Sequence, residues 1–449
     1  MTLTRDTRIC IIGAGAGGLT AAHYLTARGY RRVTVLEKAE RLGGLCESFT
    51  YEGRSYDLGG NYVLPGYSYV RDIADAVGAA LITGPDRRSW DSRIKGFRST
   101  LSSVLQGTNF FAFTLAVVRY VMLLIRFRRV LGTPGWDAVH TQPDLCKPMD
   151  QFMREHGLEP MRLLFAIPIS IMGYGSAGIK GKVSTEHPEY LNEIAAAYVM
   201  RYVDFRTLLV LLLVGMGLSN SWPKRFADGY QRFLERVAWS LDVRLGTNVR
   251  SVRRDDVVTV ESTRVVDGAP VSSTEEFDLL LIACPLGNAL GFLDATPDEQ
   301  TLFSTIAFNE YAVTTAVTTG MPNHIIDVLP LTAYGNPWAL VKQWPDRDLC
   351  VYYSPVDASV SDDDARAAVV AQVSVIGGQV QSFHDLRRWQ YFPHVTTAQM
   401  ADGFYHRLEA LQGQRRTYLL GCAMDFELAE RAAQYSNALV DRYFSAPSR

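Results

Sequence analysis

Short, fully apolar runs alternate with longer segments of mixed polarity along this chain. Residues 9–12 and 33–36 have the length and continuity of buried strands, and residues 19–28 between them have the mixed pattern of a helix. Strand, helix and strand in this order predict a βαβ unit with parallel strands. The class predicted is therefore α/β.

The turn that joins the first strand to the helix is rich in glycine. Gly13, Gly15 and Gly18 stand in the spacing G-x-G-x-x-G, in which the first glycine permits a tight turn, the second lets a pyrophosphate approach and the third lets helix and strand pack. The helix N-terminus offers free N–H groups to the phosphates. Glu37, 19 residues after Gly18, can accept hydrogen bonds from an adenosine ribose. The pattern predicts a dinucleotide site.

A second set of glycines separates FAD from NAD. Gly43-Gly44 and Gly59-Gly60 follow the βαβ unit, and a nicotinamide domain needs neither pair. An extended flavin needs more backbone at close approach and a further cation, for which Arg41 is available. This stretch resembles the FAD domain of the glutathione-reductase type, in its amine-oxidase and phytoene-desaturase branch. Leu45-Cys46 stands where that branch usually has an arginine, so one expected cation is missing.

Three later segments fit the same resemblance. Residues 247–252 resemble the strand whose valine backbone pairs with adenine, 277–285 the strand that returns to the FAD domain, and 417–421 its closing strand. An acid usually follows that last glycine. Cys422 follows here, as a small core residue or as a covalent link to the flavin. The resemblance implies FAD, held by Gly13, Gly15, Gly17, Gly18, Glu37, Lys38, Arg41, Gly43, Gly44, Gly59, Gly60, Asn61, Val249, Pro285, Gly421 and Cys422.

The FAD segments are discontinuous and divide the chain. We assign residues 1–85, 225–290 and 400–449 to a Rossmann-type FAD-binding domain, 86–224 to a helical insertion at the substrate, and 291–399 to a mixed, β-rich α+β substrate domain. A length of 449 residues suits two or three such domains.

Composition excludes several classes of protein. The net charge of −2 gives no electrostatic footprint for nucleic acid. The six cysteines are scattered without a C-x-x-C pair, which argues against a disulfide framework and a zinc site, and no metal is predicted. The first strand begins too early for a signal peptide, so we expect a cytoplasmic protein.

Two helical stretches of the insertion are unusually apolar. Residues 110–130 contain four arginines, of which Arg119, Arg126 and Arg129 share one face, and residues 207–214 are almost uniformly apolar. Neither stretch offers the ~20 uninterrupted residues that a bilayer requires. Three interpretations are open: buried helices, the walls of an apolar tunnel, or a patch on a membrane surface with arginines at the headgroups. The last two imply a lipid-like substrate.

Segments outside the FAD pattern carry a more specific resemblance. Residues 84–88, 171–175, 196–205, 389–395 and 433–436 resemble the bacterial FAD-dependent polyunsaturated fatty acid (linoleate-type) double-bond isomerases. The similarity covers most of the chain. It implies a redox-neutral reaction on a long unsaturated acyl chain.

The chemistry is expected to belong to the cofactor. The sequence has no G-x-S-x-G, no H-E-x-x-H and no arranged Cys/His pair, so flavin N5 is the predicted hydride acceptor. Loss of a hydride would leave a carbocation on the substrate. Such a cation requires an apolar, aromatic cavity without water or a base. Supporting roles are predicted for Tyr391, Phe392 and Tyr198, and substrate contacts for Tyr174, Tyr202, Phe205, Leu211 and Trp389. Core packing is the alternative for each, and a structural hydrogen bond is expected for His394.

A free carboxylate would need a cation. The isomerase resemblance implies an arginine at the tunnel mouth, with Arg88 as first choice and Arg87 as second; a solvated loop arginine is the alternative. The phenylalanine that gates the tunnel in that family falls on Leu211, and residues 177–191 are an insert. A changed gate suggests a changed substrate. A thioester of a carrier protein or coenzyme A, as in natural-product assembly, would not need Arg88.

The sequence therefore predicts an FAD enzyme that shifts double bonds in an unsaturated acyl or polyene chain. Net oxidation by an amine-oxidase-like or desaturase-like enzyme is the alternative, with Lys342 as a candidate lysine beside the flavin or as a surface lysine. A non-catalytic, flavin-bearing lipid carrier is a second alternative. Peripheral contact with a membrane stays open, and the oligomeric state is not predicted.

Overall fold

The computed structural model describes residues 3–99, 102–103, 105, 108–171, 173, 194–215, 223–266, 268–329 and 334–444. The strands are β1 (Arg8–Ile12), β2 (Arg32–Leu36), β3 (Ser48–Tyr51), β4 (Arg54–Asp57), β5 (Leu81–Thr83), β6 (Asp86–Asp91), β7 (Gly96–Arg98), β8 (Lys224–Phe226), β9 (Asp242–Arg244), β10 (Thr247–Arg254), β11 (Val258–Val266), β12 (Ala269–Phe277), β13 (Leu279–Ile282), β14 (Ala307–Thr319), β15 (His324–Leu329), β16 (Ala339–Lys342), β17 (Leu349–Val356), β18 (Gln379–His394) and β19 (Thr417–Leu419). The α-helices are α1 (Ala16–Ala27), α2 (Tyr69–Ala76), α3 (Phe110–Arg126), α4 (Arg128–Leu131), α5 (Pro143–Cys146), α6 (Met149–His156), α7 (Arg162–Ile171), α8 (Ala196–Tyr202), α9 (Phe205–Gly215), α10 (Tyr230–Ala238), α11 (Leu286–Ala289), α12 (Pro297–Thr305), α13 (Asp362–Ile376), α14 (Thr397–Ala401), α15 (Phe404–Glu409) and α16 (Ala429–Tyr443).

The parallel sheet has five strands in the order β19-β13-β1-β2-β9. Ile9 of β1 lies opposite Leu279 on one side and Val33 on the other. Continuous apolar strands of this kind are typical of parallel sheets that are covered on both faces. The predicted α/β class is confirmed, and both apolar runs near the N-terminus are strands of this sheet.

The C-terminal helix α16 closes this part of the molecule against α1. The hydroxyl of Ser436 donates a hydrogen bond of 3.0 Å to the carbonyl oxygen of Gly17. The small residues of α1 allow this contact because they let the two helices approach closely. The last helix of the chain is thereby tied to the first.

A mixed sheet of seven strands, in the order β18-β14-β17-β16-β15-β6-β7, forms the second layer. One face packs on α13, where Ile326 and Leu340 meet Val369 and Val373 in a buried cluster. Because side chains alternate along a strand, the intervening residues point to the opposite face. That opposite face borders the large cavity described below. A separate antiparallel sheet, β10-β11-β12, carries Val249 at one edge.

The insertion predicted as helical begins with two strands instead. β6 pairs in parallel with β15, placing Arg87 opposite Ile325, and β7 folds back on β6. Residues 86–98 thus belong to the mixed sheet, because β15, more than 200 residues further along the chain, completes their hydrogen bonding. The remaining described part of the insertion is helical. The division into domains stays a prediction.

The helical insertion is joined to the C-terminal segment by a buried ion pair. Arg201 of α8 lies 2.9 Å from Asp425, and neither side chain is exposed to solvent. The same guanidinium lies over the ring of Trp136 and donates to the carbonyl oxygens of Thr133 and Gly135. Within the described ranges, no helix is long and apolar enough to cross a membrane.

Candidate functional site

A cavity of about 720 Å³ runs from the carboxyl ends of the parallel strands to the concave face of the mixed sheet. One half is lined by the turn after β1, the end of β2 and the segment after β19. The other half is lined by side chains of β14 to β18. Ligands in open α/β sheets bind at this end of the strands, so the first half is the place for a nucleotide.

The turn after β1 leaves backbone N–H groups free at the start of α1. Gly13 has φ +111°, a conformation that side chains rarely allow, and a Cβ there would stand 3.0 Å from the backbone of Ala283. Gly15 occupies the cap of α1, with no side chain bonded to the helix end and no acid in the first turn. An uncapped helix N-terminus with room beside Gly15 can bind a pyrophosphate.

Glu37 is held at the end of β2 by two backbone amides. Its Oε2 accepts a hydrogen bond of 2.8 Å from the N–H of Ala14, and its Oε1 accepts one of 2.9 Å from the N–H of Ala39. Lys38 also lines the cavity. A fixed carboxylate at this place can accept hydrogen bonds from ribose hydroxyls.

The second set of glycines brings three backbone segments together. Gly43 forms a parallel bridge with Gly15, and a Cβ on Gly59 would overlap the carbonyl oxygen of Leu45. Arg41 lines the cavity, but its guanidinium donates to the carbonyl oxygen of Gly44 at 2.9 Å and to Glu47 at 2.7 Å. A long cofactor can therefore approach the backbone closely here. The cation beside it, Arg41, is already paired with Glu47.

The closing strand β19 ends against the start of α1. Gly421 has φ +89°, and a Cβ on Gly17 would stand 3.2 Å from the Cα of Gly421. Gly421 and Cys422 line the cavity, as do Val249 of β10, Pro285 after β13 and Asn61. Gly18 does not, since it packs on the turn at Gly13. The other predicted cofactor residues all lie along the cavity, which fits FAD.

Glu427 is a cavity residue that the sequence analysis missed. Burial raises the pKa of its carboxyl to about 7, although the Cys422 thiol and the N–H of Phe392 hydrogen-bond to it and oppose that rise. Burial likewise raises the pKa of Cys422 well above its usual range, so the thiol stays protonated. An acid was expected directly after Gly421, and inspection of the following six residues would have found Glu427.

Alternate residues of the mixed sheet form the second half of the cavity. Tyr311, Val313, Ile325, Ala339, Val341, Tyr353, Trp389 and Tyr391 face it. The ring centroid of Tyr311 lies 6.4 Å from that of Tyr353 and 6.4 Å from that of Tyr391. The hydroxyl of Tyr353 accepts a hydrogen bond of 2.9 Å from the side-chain amide of Asn61. Burial raises the pKa of Tyr311 and Tyr353 well above 10, so both are neutral phenols. This half is apolar and aromatic.

The predicted substrate residues are divided between the cavity and the core. Tyr202, Trp389 and Tyr391 line the cavity. Tyr198 lies deeper, hydrogen-bonded to the hydroxyl of Tyr405 and the N–H of Val395, and Phe392 is 1% exposed and stacks on His394. Neither Tyr198 nor Phe392 lines the cavity. Both side chains pack behind its wall and do not face a bound molecule. His394 accordingly makes a structural contact, with its Nδ1 at 2.7 Å from the carbonyl oxygen of Phe392. Tyr174 and residues 177–191 lie outside the described residues.

Arg87 and Arg88 of β6 point to opposite faces of the mixed sheet. The better candidate for binding a substrate carboxylate is therefore Arg87 and not Arg88. Arg88 is exposed, bonds to Asp86 at 3.0 Å and does not line the cavity. Arg87 does line it, because residues of a strand alternate between faces. Its guanidinium is bonded to Asp327 of β15, a side chain with no exposure to solvent. Arg87 is thus the arginine of β6 that lines the cavity, in addition to Lys38 and Arg41 near the turn after β1.

Two further predicted contacts lie elsewhere. Phe205 is 57% exposed and does not line the large cavity. Leu211 lines a small neighbouring cavity, together with Pro65, Arg206 and other residues of α9. Arg87 and Tyr202 border both cavities, so Leu211 lies next to the large cavity rather than inside it.

Few groups in the large cavity can exchange protons. Its described lining contains no histidine or aspartate, and its carboxylates are Glu37 and Glu427. Lys342 follows Val341 on β16, points to the other face of the sheet and donates to Asp348 at 2.9 Å. The aromatic half is therefore without a described lysine or histidine.

Comparison with known proteins identifies the family. A model of flavin-containing amine oxidoreductases matches residues 16–399. The chain belongs to this family. The structure is similar to the crystal structure of a CLA-producing fatty acid isomerase from P. acnes, with a TM-score of 0.84 and 26% identity over 99% of this chain and 100% of that one. FAD as cofactor, the fold class and the predicted resemblance are thereby confirmed, and the chain is an FAD-dependent enzyme.

Two other similarities are more limited. Putrescine oxidase bound to putrescine has a TM-score of 0.64 at 15% identity over 97% of this chain and 99% of that one, which shows a shared fold. A phytoene desaturase of Rhodobacter capsulatus is 50% identical over 52 residues, 12% of this chain and 10% of that protein. The chain thus matches only about a tenth of the desaturase's length.

Proposed function

We propose that this enzyme shifts double bonds in a long unsaturated acyl or polyene chain without net oxidation. The observation that carries the proposal is the aromatic half of the cavity, formed by the mixed sheet directly beside the predicted flavin half. Such a cavity accommodates an apolar chain. The similarity of the whole structure to the P. acnes fatty acid isomerase supports the assignment.

Bound FAD supplies an atom, N5, that can take up a hydride and return it. In the proposed isomerisation the substrate would give up one hydride from an allylic carbon, carry positive charge over several carbons and take the hydride back at a different carbon. Its mass and oxidation state are unchanged. Tyr311, Tyr353 and Tyr391 line the cavity, where aromatic rings can stabilise positive charge, and the apolar residues between them exclude water.

The group at the end of the acyl chain, next to Arg87, is expected to be uncharged. Arg87 of β6 lines the cavity, but the buried carboxylate of Asp327 already neutralises its charge. A free carboxylate would have to compete with a buried, bidentate partner. A thioester, carried by coenzyme A or a carrier protein, avoids this competition. Comparison of kcat/KM for one acyl chain as free acid and as coenzyme A thioester tests the point.

Net two-electron oxidation is the second candidate, and Glu427 is the observation in its favour. A carboxylate in the cavity can remove a proton from the cation before the hydride returns. The product would then have one more double bond, and the electrons would pass to an acceptor. The position of Lys342, on the opposite face of the sheet, argues against the lysine-assisted oxygen reaction considered from the sequence.

An anaerobic incubation separates the candidates. The purified holoenzyme is mixed with a polyunsaturated acid, and in parallel with its thioester, deuterated at the bis-allylic carbon. We expect unchanged mass, shifted ultraviolet absorption and deuterium at a new carbon. Loss of two hydrogens with bleaching of the flavin would show net oxidation, and loss of the label to water would contradict hydride return. No change in substrate or flavin would favour a non-catalytic carrier.

A further inference from the structure

Helix α3 is apolar on two opposite faces. Its buried face consists of Phe113, Ala116, Tyr120, Leu123 and Leu124. On the opposite face, five large apolar side chains are between 41% and 76% exposed; they are called the α3 stripe and comprise Phe111, Leu115, Val118, Met122 and Ile125. At about 100° per residue, the members of the stripe fall within about 80° of one another.

An exposed stripe of this size is unusual on a surface helix. Such helices normally present charged or polar residues to water, and a helix that is apolar all round is normally buried. From Phe111 to Ile125 the stripe extends about 21 Å, at a rise of about 1.5 Å per residue. Continuous apolar surface of this kind marks a site of interaction with another apolar surface.

The charged residues of α3 and α4 are all arginines. Arg119 and Arg126 lie along one flank of the helix, and Arg128 and Arg129 follow at once in α4, all of them exposed. No aspartate or glutamate occurs between residues 110 and 131. Arg126 lies 3.3 Å from Asp144. Arginines beside an apolar face match the headgroups of anionic lipids, whereas a second copy docked through its own stripe would bring arginines together.

Helix α9 connects this surface with the cavity. The hydroxyl of Tyr120, in the middle of α3, donates a 2.7 Å hydrogen bond to the carbonyl oxygen of Val203, two residues before α9 begins. Phe205 and Leu209 of α9 are also exposed. The small cavity under α9 is lined by Pro65, Arg206 and Leu211 and shares Arg87 and Tyr202 with the large cavity.

We infer that the α3 stripe docks on the surface of an anionic bilayer, with its arginines at the lipid phosphates, and that acyl chains enter from the bilayer beside α9. The helix lies on the membrane and does not cross it, because α3 has only 17 residues. Delivery of substrate rests on the proposed function. Docking does not, since it is measured without substrate.

The test is co-sedimentation of the FAD-loaded enzyme with vesicles of phosphatidylcholine, with and without phosphatidylglycerol. We expect binding to the anionic vesicles and weakening of it between about 0.1 M and about 1 M salt. The double variant Val118→Glu and Met122→Glu should reduce vesicle binding by at least about tenfold. Val370→Glu combined with Val375→Glu is the matched control, because it adds the same charge at two exposed valines of α13, on another surface.

Flavin absorbance and thermal unfolding verify that the variants fold. Failure of the wild-type enzyme to bind anionic vesicles, or equal binding by the double variant, would overturn the inference. So would a wild-type dimer that the double variant converts to a monomer without lipid, because the stripe would then cover a second copy. Turnover of detergent-solubilised substrate should be the same in both variants and the wild type. Absence of turnover in all three proteins, while the wild type binds anionic vesicles and the double variant does not, would refute the proposed function and leave docking established.

Discussion

The guanidinium of Arg87 and the carboxylate of Asp327 form a bidentate ion pair beside the aromatic half of the cavity. Nε lies 2.7 Å from Oδ2 and Nη2 lies 2.9 Å from Oδ1. The pair joins β6 to β15, adjacent parallel strands of the mixed sheet. It is therefore a structural link between distant parts of the chain, and it neutralises an arginine that lines the cavity.

Replacement of Arg87 by glutamine should destabilise the enzyme strongly. Asp327 would remain buried without its counter-charge, which typically costs about 3–5 kcal/mol. Arg88→Gln is the matched control, because its exposed pair with Asp86 should contribute less than about 1 kcal/mol. Denaturant unfolding of both holoenzymes measures the difference. Equal losses in the two variants would contradict the placement of Arg87.

Replacement of Gly15 by alanine should prevent cofactor binding without harming the fold. A Cβ at this position meets only the Cα of Gly44, at 4.0 Å, so the protein itself has room for it. The pyrophosphate would lose its close approach to the backbone, and we expect FAD affinity to fall by at least about tenfold. Gly287→Ala, where the Cβ would stand 3.7 Å from the nearest oxygen, is the control. Flavin titration and circular dichroism report the two effects separately.

The thermal stability of the enzyme should depend on the ionisation of Glu427. Burial raises the pKa of this carboxyl in the folded protein to about 7, above the value of about 4.5 expected after unfolding. The stabilising contribution of the protonated form is therefore complete below about pH 4.5 and is lost as the pH rises through about 7.

Glu427→Gln should remove this dependence. With these two pKa values the contribution changes by about 2.5 kcal/mol between pH 5 and pH 8. At about 2.1 cal/mol/K of unfolding entropy per residue, a chain of 449 residues should show a Tm difference of about 2–3 °C. The measurement is the Tm of wild type and variant across this range. Parallel curves for the two proteins would show that Glu427 is ionised in the same way before and after unfolding.

Lys342→Met should leave the reaction of the flavin with oxygen unchanged within about twofold. The ammonium group lies on the face of β16 away from the cavity and bonds to Asp348, so its removal changes no group that lines the flavin site. Stopped-flow reoxidation of the photoreduced holoenzyme measures the rate. A fall of about a hundredfold would instead place this lysine beside the flavin.

Local features of the chain could be predicted, and features that depend on distant partners could not. The glycines after β1 and the position of Glu37 follow from neighbouring residues alone. The opposite orientations of Arg87 and Arg88 required knowledge that residues 86–91 form a strand, and that strand depends on β15. The six residues after Gly421 offer two acids, Asp425 and Glu427, and only the tertiary fold shows that Glu427 is the one that lines the cavity.

The apolar helix α3 shows the same limit in another way. Its sequence is apolar on every side apart from its arginines, so the pattern alone cannot indicate which face meets the core. Three interpretations were therefore left open for this stretch. The structure shows Tyr120 and Phe165 packed together on the inner side, as the first interpretation predicts, and Met122 exposed on the outer side, where the membrane interpretation stays a proposal.

The buried pair of Arg201 and Asp425 restricts how the site can open. A hinged lid formed by the helical insertion would have to separate these two charges inside a dry interior, at a cost that exceeds the thermal energy many times over. Breathing of side chains along α9 requires no such separation. Exchange of substrate and product should therefore proceed through small local fluctuations, with the insertion and the C-terminal segment moving as one rigid unit.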